Sequence, residues 1–283
     1  MSESAMNLQD WLGKTETLTD CIYPTPVKAL ARTLDYSNFD TGDGALLPPL
    51  WYWLYFLPMP AASATGSDGH PKRGGFLPPV PLERRMWAGS RFVFHDDLII
   101  GEAMSKVSEI IKIAEKEGKA GNMVFVTVKH QVKSARGLAV EEEQDIVYLA
   151  KPTSFKPPAP TPLPSNLQWQ DAYPVDPVLL FRFSALTFNG HRIHYDLKYV
   201  TEEEKYPGLV VHGPLQAVLL MESARQHNPG RKPASYQFRA VKPLFDFDQI
   251  SLCGKSRPDG GHDLYTANGD QHIGMQATVS WRE

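Results

Sequence analysis

The sequence predicts an α+β fold of two similar halves, each with antiparallel strands packed around a helix. The first observation is the segment from Pro214 to Gln226, which is apolar on almost every side and therefore indicates a buried helix. The second is a series of short runs in both halves of the chain in which polar and apolar residues alternate, as on half-buried strands. The third is the segment 151–164, which holds six prolines and divides the two series.

Composition limits the classes of partner. The 283 residues carry 29 Lys and Arg against 32 Asp and Glu, a net charge of -3, so the chain has no strong field for nucleic acid or an anionic membrane. We therefore expect neither partner. The hydrophobic content of 42% is ample for a packed core.

Cysteine usage and the N-terminal sequence bear on the compartment. Cys21 and Cys253 are far apart and form no Cys-x-x-Cys motif, which fits a reducing environment. The first residues show neither a basic flank with an apolar run nor an Arg-rich amphipathic pattern. We expect a cytoplasmic location.

Residues 1–150 are expected to form the first half. Leu8 to Thr15 and Pro26 to Leu34 are predicted to be helical, and the apolar run 46–57 is the candidate counterpart of the buried helix after Pro214. That run is too short, and too broken by prolines, to cross a bilayer, which takes ~20 residues. The Gly- and Pro-rich segment 61–81 is predicted to be a mobile loop. Strands are predicted at 90–95, 104–117, 123–134 and 138–150.

A stiff linker is expected at 151–168, and residues 169–283 are expected to form the second half. This half repeats the order of the first in compressed form. A strand is predicted at 178–183, followed by a polar motif, the buried helix and four strands. The four strands are predicted at 236–241, 249–255, 263–268 and 272–281.

The chemistry-bearing residues lie between 183 and 215. Asn189, His191, His194, Tyr195 and Asp196 form a polar cluster within an apolar stretch. The run His212-Gly213-Pro214 follows, and Pro is favoured at the first helical position because it lacks only an N–H that would have no partner there. The first turn of such a helix offers free N–H groups and a positive dipole end to a negatively charged oxygen. Gly213 lets a ligand approach that backbone closely.

These residues also carry a family resemblance. The runs FSALTFNGHRIHYD (183–196) and YPGLVVHGPL (206–215) resemble the motif of MaoC-like enoyl-thioester hydratases, which have the hot-dog fold. The variant with Asn189, together with RRMWAGSRFVF (84–94) and EEEQDIVY (141–148), resembles a narrower branch. That branch contains mitochondrial-type 3-hydroxyacyl-thioester dehydratases and bacterial itaconyl-CoA and mesaconyl-C4-CoA hydratases. The resemblance implies a double hot-dog, with two antiparallel sheets that each wrap a central helix.

The resemblance implies a hydratase site in the second half, with the first half covering the acyl group. Hydration of an unsaturated thioester needs a donor to the thioester carbonyl, a base for water and an acid for the α-carbon. His194 suits the last two roles because the ordinary pKa of histidine lies near neutrality. Asn189 stands where many relatives have Asp; its amide can orient water but accepts no proton at pH 7. Whether His194 acts alone or with support from Asp196 stays open.

Further groups are candidates for holding the substrate. The N–H of Gly213, with that of Leu215 beside it, is the candidate donor to the thioester oxygen, because Pro214 has no N–H. His212 and Tyr195 are candidates for shaping the binding site. Three arginines are candidates for gripping a free carboxylate on the acyl group, namely Arg84, Arg85 and Arg91.

The predicted activity is reversible hydration of a short, dicarboxylic, unsaturated acyl-CoA of the itaconyl or mesaconyl-C4 type. The alternatives are a dehydratase acting on 3-hydroxyacyl chains held on acyl carrier protein or CoA, and a non-catalytic thioester-binding subunit. Three histidines, His191, His194 and His212, are possible metal ligands, but no Cys or carboxylate at a suitable spacing completes the set, so neither a metal nor another cofactor is expected. Because hot-dog units pair through their sheets, a homo-oligomer is an open possibility.

Overall fold

The computed structural model describes residues 7–36, 39–118 and 121–282. Within them the strands are β1 Thr15–Cys21, β2 Arg84–Phe94, β3 Ala103–Gly118, β4 Gly121–Ser134, β5 Gly137–Leu149, β6 Trp169–Tyr173, β7 Pro233–Ala240, β8 Ile250–Ser256, β9 His262–Ala267 and β10 Ile273–Trp281. The helices are α1 Pro24–Thr33, α2 Pro177–Leu186, α3 Leu197–Glu202 and α4 Gly213–His227. Short 3-10 helices occupy Leu8–Trp11, Trp51–Leu54, Ala62–Ala64 and Arg192–His194.

All ten strands join one sheet, in the order β1-β3-β4-β5-β2-β7-β10-β9-β8-β6. Every pairing is antiparallel, and the two halves meet where β2 pairs with β7, from Gly89 opposite Arg239 to Val93 opposite Ser235. The expected antiparallel strands are therefore present, but the expectation of two separate sheets needs correction. Backbone hydrogen bonds across the β2–β7 pair make one continuous sheet.

Helix α4 is the central element of the second half. It contacts β8, β9 and β10, and ten consecutive residues from Leu215 to Ala224 are buried, as the apolar sequence predicts. Pro214 stands in its first turn, and the helix begins one residue earlier, at Gly213, with His212 as the N-cap. The first turn of α4 therefore lies at the end of a rigid, fully packed helix.

The first half has no matching long helix among its described residues. In the run 46–57 only Trp51–Leu54 is helical, as a single 3-10 turn, so the predicted counterpart of α4 was wrong there. Pro48 and Pro49 supply no N–H, and Leu50 adopts a left-handed backbone with φ 70°, which prevents a longer helix. The run still fills the core, and Trp51 Nε1 donates to Glu222 Oε1 of α4 at 3.1 Å.

The strand predicted at 178–183 is instead helix α2. Asp176 caps it by accepting from the N–H of Leu179 at 2.7 Å, and Pro177 stands in the first turn. The buried residues Leu179, Leu180, Phe183 and Ser184 have helical spacing. A short apolar run does not distinguish a strand from a buried helix, and here the cap decides for the helix.

Two strands that were not predicted, β1 and β6, form the two edges of the sheet. Residue Thr15 belongs to β1, so the predicted helix from Leu8 shrinks to the 3-10 turn Leu8–Trp11. All seven β1 residues are partly or fully exposed, so the strand has no regular buried face. The period-2 signal that reveals inner strands is therefore missing at this edge.

The proline-rich segment runs along the second half. Phe155 packs against Tyr206 and Phe245, with ring centroids 5.4 and 5.7 Å apart, and Pro162 forms a bridge with His272. Its role as a boundary between halves stays a prediction. None of the helices in the described ranges has the length and apolar content that a membrane crossing requires.

Candidate active site

The polar motif begins where α2 ends. Phe188 takes a left-handed backbone with φ 49°, and the N–H of Asn189 donates to the Ser184 carbonyl at 2.8 Å, which closes the helix. Asn189 Oδ1 then accepts from the N–H of His191 at 3.1 Å, forming a turn. The side-chain oxygen of Asn189 thus shapes the loop, while its side-chain NH2 group stays available as a donor.

His194 has a fixed orientation. Its Nδ1 lies 2.7 Å from the Val210 carbonyl oxygen, and because a carbonyl only accepts, Nδ1 carries the proton and Nε2 keeps its lone pair. Burial lowers the pKa of His194 to about 4, although the bond to Val210 opposes this. The ring is 8% exposed. At pH 7 it is a neutral base with Nε2 available.

His212 connects His194 to the start of α4. The two rings stack with centroids 3.6 Å apart and planes 20° apart. His212 is fully buried, its Nε2 lies 2.8 Å from Ser184 Oγ, and burial holds its pKa well below the ordinary value. His212 is also the N-cap residue directly before Gly213, so the His194 ring stacks on the residue at which α4 begins.

Gly213 leaves open space at that terminus. A Cβ at this position would meet only Met275 Cε at 3.9 Å and the Trp87 carbonyl at 4.0 Å, so packing alone does not demand glycine. Trp87 belongs to β2, so the first half forms one wall of the site. The side chain of Leu215 is fully buried in the core, which leaves only its N–H as a group that can meet a ligand.

Tyr195 and Asp196 serve the loop rather than His194. Tyr195 Oη donates to the Gly190 carbonyl at 2.7 Å. Asp196 caps α3 through the N–H of Tyr199 at 3.0 Å and pairs with Arg192 at 2.8 Å. The expected alternative in which Asp196 supports His194 is wrong, because the Val210 carbonyl occupies the Nδ1 side of that ring.

The three candidate arginines have different surroundings. Arg84 is partly buried beside Glu204, with Nε to Oε2 3.0 Å, and also contacts Tyr206. Arg91 lies on the exposed sheet face, where Glu143 and Asp145 bind it at 3.1 and 2.6 Å. The structure therefore does not bring these two to the site. Arg85 lies close enough to His191 to contribute to lowering the pKa of that ring, which burial lowers most.

Sequence reasoning missed two residues of the site, Asp68 and His70. They belong to the segment 61–81, predicted to be a mobile loop, which instead packs on the motif. The His70 and His191 rings have centroids 4.0 Å apart, and His191 and His194 have centroids 5.5 Å apart. The only local signal is Asp-Gly-His, in which Gly69 has φ 89° and Asp68 bonds the backbone two residues on.

The histidines offer two possible metal sets, and neither has favourable geometry. The stacked rings of His194 and His212 hold their nitrogen lone pairs in nearly parallel planes, which do not converge on one ion. Asp68, His70 and His191 place one ligand atom each within 4.8 Å of the others. Both carboxylate oxygens of Asp68 are already bonded to His70, and the positive charge of Arg85 acts on all three residues.

A family model described as hydroxyacyl-thioester dehydratase type 2 matches residues 50–246. The chain belongs to this family. The matched range holds every residue of the site, from the Asp68 turn through the motif to the start of α4. The resemblance seen in the motifs is thereby confirmed.

Relatives with names and solved structures agree with this assignment. The chain is 46% identical over 285 aligned residues to mesaconyl-C(4)-CoA hydratase of Chloroflexus aurantiacus, covering 98% of both chains. It is 28% identical to the mitochondrial hydroxyacyl-thioester dehydratase type 2 of Schizosaccharomyces pombe, covering 83% of this chain and 88% of that one. A Mycobacterium tuberculosis protein described as a double hot-dog is 13% identical, with a TM-score of 0.60 and coverage of 97% and 98%. The double hot-dog fold class is confirmed.

Proposed function

We propose that this protein catalyses the reversible addition of water to the double bond of an α,β-unsaturated acyl-CoA thioester. The observation that carries the proposal is the position of His194, a neutral base whose Nε2 is available and whose ring stacks on the residue that begins α4. This reaction needs a base close to a set of hydrogen-bond donors for the thioester oxygen. The C. aurantiacus relative has the name of such a hydratase.

His194 moves one proton in the proposed reaction. Its Nε2 takes a proton from water as the water oxygen bonds to the β-carbon, and the double-bond electrons move onto the thioester oxygen. The imidazolium then returns that proton to the α-carbon as the carbonyl re-forms. One proton leaves water and one reaches carbon, so the step balances. Positioned acid–base catalysis of this kind contributes about 10²- to 10⁴-fold.

Gly213 and Asn189 complete the machinery. The N–H of Gly213, with that of Leu215, stabilises the negative thioester oxygen at the positive end of α4, a contribution typically of ~10²- to 10³-fold. Asn189 holds the water through its side-chain NH2 group. The Val210 carbonyl keeps His194 in the required tautomer, so His194 needs no support from Asp196. No metal or other cofactor enters the scheme.

The acyl group in this proposal is short and dicarboxylic, of the mesaconyl-C4 or itaconyl type. The support is the name of the relative at 46% identity, together with Arg85, an arginine near the histidines. The first half covers the acyl group in this proposal. The support is the Trp87 carbonyl of β2, which lies near Gly213.

Location and assembly are also part of the proposal. The two cysteines are free, which suits the reducing cytoplasm. The continuous sheet already pairs two hot-dog units within one chain, as a dimer of single units would. A further homo-oligomer is compatible with the proposal but not required by it.

The second candidate is a dehydratase that acts on 3-hydroxyacyl chains bound to acyl carrier protein or CoA. The family description and the S. pombe relative favour it. It uses the same groups in the reverse direction. Rates on mesaconyl-C4-CoA, itaconyl-CoA, crotonyl-CoA and a carrier-bound substrate separate the candidates, and a preference for the carrier-bound chain contradicts our first choice.

The test of the catalytic assignment is His194→Ala, followed by the absorbance of the enoyl thioester. We expect kcat to fall on the order of 10³-fold, because the proton carrier is lost. His95→Ala is the matched control, since His95 is exposed and pairs with Glu141 on the sheet. Near-wild-type turnover by folded His194→Ala contradicts the assignment. Tight binding with no turnover by the wild type would instead indicate the non-catalytic subunit.

A further inference from the structure

Arg85 differs from its neighbours in having no acidic partner. Among the described residues no carboxylate oxygen lies within the 4.0 Å that defines an ion pair with it, whereas Arg84 and Arg91 are both paired. Its strand position is opposite Tyr148 in the β2–β5 pair, so the two side chains leave the same face of the sheet. Arg85 is a partly buried cation that lies beside the Tyr148 hydroxyl and that no described carboxylate neutralises.

Asp68, an acid whose pKa the charge of Arg85 lowers, has both carboxylate oxygens bonded to His70. Asp68 Oδ1 accepts from the N–H of His70 at 3.0 Å, and Oδ2 lies 3.0 Å from His70 Nδ1. Burial alone would raise the pKa of Asp68, but the bonds and charge of His70 lower it to about 2, with a smaller effect from Arg85. Asp68 is therefore ionised, and His70 occupies both of its oxygens.

The turn that carries this pair is fixed to the motif loop. The Arg192 N–H donates to the Asp68 carbonyl at 2.9 Å, and Arg192 Nη1 donates to the Ser67 carbonyl at 3.0 Å. Gly69 and Gly190 are in backbone contact, since a Cβ on Gly69 would lie 1.7 Å from the Gly190 oxygen. The turn is thus a neighbour of the motif loop, and the positive charge of Arg85 acts on Asp68, His70 and His191 together.

A second cation, Arg73, adds to the positive charge around Arg85. The guanidinium of Arg73 lies 5.6 Å from the centre of the Tyr148 ring and donates to the backbone carbonyls of Val80 and Glu83 rather than to an acid. The hydroxyl of Tyr148 is buried beside the Arg85 side chain, and no described residue makes a well-formed hydrogen bond to it. Burial raises the pKa of Tyr148, so it keeps its proton and remains a donor. The cluster therefore contains two cations and one hydroxyl donor but a single carboxylate, that of Asp68, whose oxygens are already bonded to His70.

We infer that Arg85 binds a free carboxylate at the far end of the acyl group, with the Tyr148 hydroxyl as a second donor. The planar guanidinium matches a carboxylate with two parallel hydrogen bonds, and the net positive charge favours an anion over a metal ion. The inference rests on the proposed function and deepens it, because it assigns the residue that selects dicarboxylic over monocarboxylic thioesters. His70 is a positioning residue that keeps Asp68 away from Arg85.

The test compares Arg85→Gln with the wild type on mesaconyl-C4-CoA and on crotonyl-CoA, which has no carboxylate. We expect kcat/KM on mesaconyl-C4-CoA to fall ~100-fold, mainly through KM, because a charge-assisted pair is lost. The change on crotonyl-CoA should stay within about 3-fold. Arg91→Gln is the matched control from the same strand, and Arg85→Lys, which keeps the charge without the fork, should fall between.

Binding of saturated analogues gives an independent measurement. Methylsuccinyl-CoA should inhibit the wild type far better than butyryl-CoA, and Arg85→Gln should remove that difference. An equal loss on both substrates, or an unchanged preference, overturns the inference. Near-wild-type kcat in His194→Ala would instead overturn the proposed function, so the two failures are distinguishable.

The role of His70 has its own readout. His70→Ala frees Asp68 to pair with Arg85, so KM for mesaconyl-C4-CoA should rise ~10-fold or more while KM for crotonyl-CoA changes little. Adding Asp68→Asn to His70→Ala removes the competing charge and should restore most of the preference. If the double variant is no better than His70→Ala, then His70 does not act by holding Asp68.

Discussion

At the scale of single residues, the site depends on how each imidazole is anchored. His194 and His70 each direct Nδ1 to an acceptor, the Val210 carbonyl in one case and the Asp68 carboxylate in the other. The unanchored Nε2 atoms are then free to face a ligand. His191 lies between the two rings, and burial together with its histidine neighbours keeps it neutral, with a pKa far below the ordinary value. The anchors, rather than the histidines alone, define the chemistry.

The low pKa of His194 predicts how activity depends on pH. The base must be neutral, and its pKa is about 4, so kcat/KM should be flat from pH 7.5 down to ~5 and fall only below that. A pH–rate profile on the thioester absorbance checks this. A limb centred near the ordinary histidine value of ~6.5 contradicts the assigned environment.

The same shift affects stability. The folded value of about 4 lies below the ordinary 6.5, so the unfolded chain binds more protons between these values. Above pH 6.5 the titration of His194 therefore does not change the free energy of unfolding. As pH falls from 6.5 to 4, the free energy of unfolding falls by up to ~3 kcal/mol. Thermal unfolding of the wild type and of His194→Gln across this pH range checks this. The stability of the variant should decline less steeply with falling pH than that of the wild type.

Much of the site was predictable from the sequence because it is local. Asn189 and His194 lie in one loop, and His212 and Gly213 are consecutive at a helix start marked by Pro214. Asp68 and His70 were not predictable, since they reach the motif only through the docking of a distant segment whose composition is typical of a mobile loop. The partner of His194 was also missed, because a backbone carbonyl such as that of Val210 leaves no trace in the residue type.

At the scale of elements, the segment 61–81 is a docked part of the site. Gly66 donates its N–H to the His70 carbonyl at 2.7 Å, and Thr65 pairs with Pro71, so the segment closes a tight turn. Gly69 at its tip contacts Gly190 of the motif. This contact needs glycine for two separate reasons, the positive φ and the absence of a Cβ.

Gly69→Ala should therefore undock the turn. The left-handed backbone alone costs about 1–2 kcal/mol for a residue with a side chain, and the Cβ would lie 1.7 Å from the Gly190 oxygen. We expect at least a 10-fold loss of kcat/KM on the dicarboxylic thioester and faster proteolysis within 61–81. Gly74→Ala is the matched control, because it has φ 91° but its nearest contact would be Pro79 at 3.7 Å. Equal behaviour of the two variants would show that the Gly190 contact is unimportant.

Element types followed from the sequence wherever one face is buried. Strands β3, β4 and β5 each combine buried residues with partly exposed ones, and α4 is buried over ten consecutive residues, so both types were predicted. The errors fell on short apolar runs. Prolines reduced the segment 46–57 to one 3-10 turn, and the Asp176 cap turned 178–183 into a helix. Periodicity over so few residues does not separate a strand from a helix.

At the scale of the whole molecule, the two halves act as one unit. The β2–β7 pair joins them, and a Cβ on Gly89 would lie 2.4 Å from the Phe238 oxygen, which shows how closely the strands approach there. The same strand β2 carries Trp87 beside Gly213 and Arg85 beside the histidines. This pairing was not predictable, because it joins residues more than 140 positions apart, such as Val93 and Ser235, with no turn between them.

The proposed reaction requires that the His194 ring and the Gly213 N–H converge on the two ends of one conjugated thioester. The most direct measurement is a crystal structure with the saturated analogue methylsuccinyl-CoA bound. We expect the thioester oxygen ~3 Å from the Gly213 nitrogen, with the carbon corresponding to the β-carbon within one water of His194 Nε2. A thioester oxygen placed away from the α4 N-terminus, or an acyl chain out of reach of His194, would contradict it.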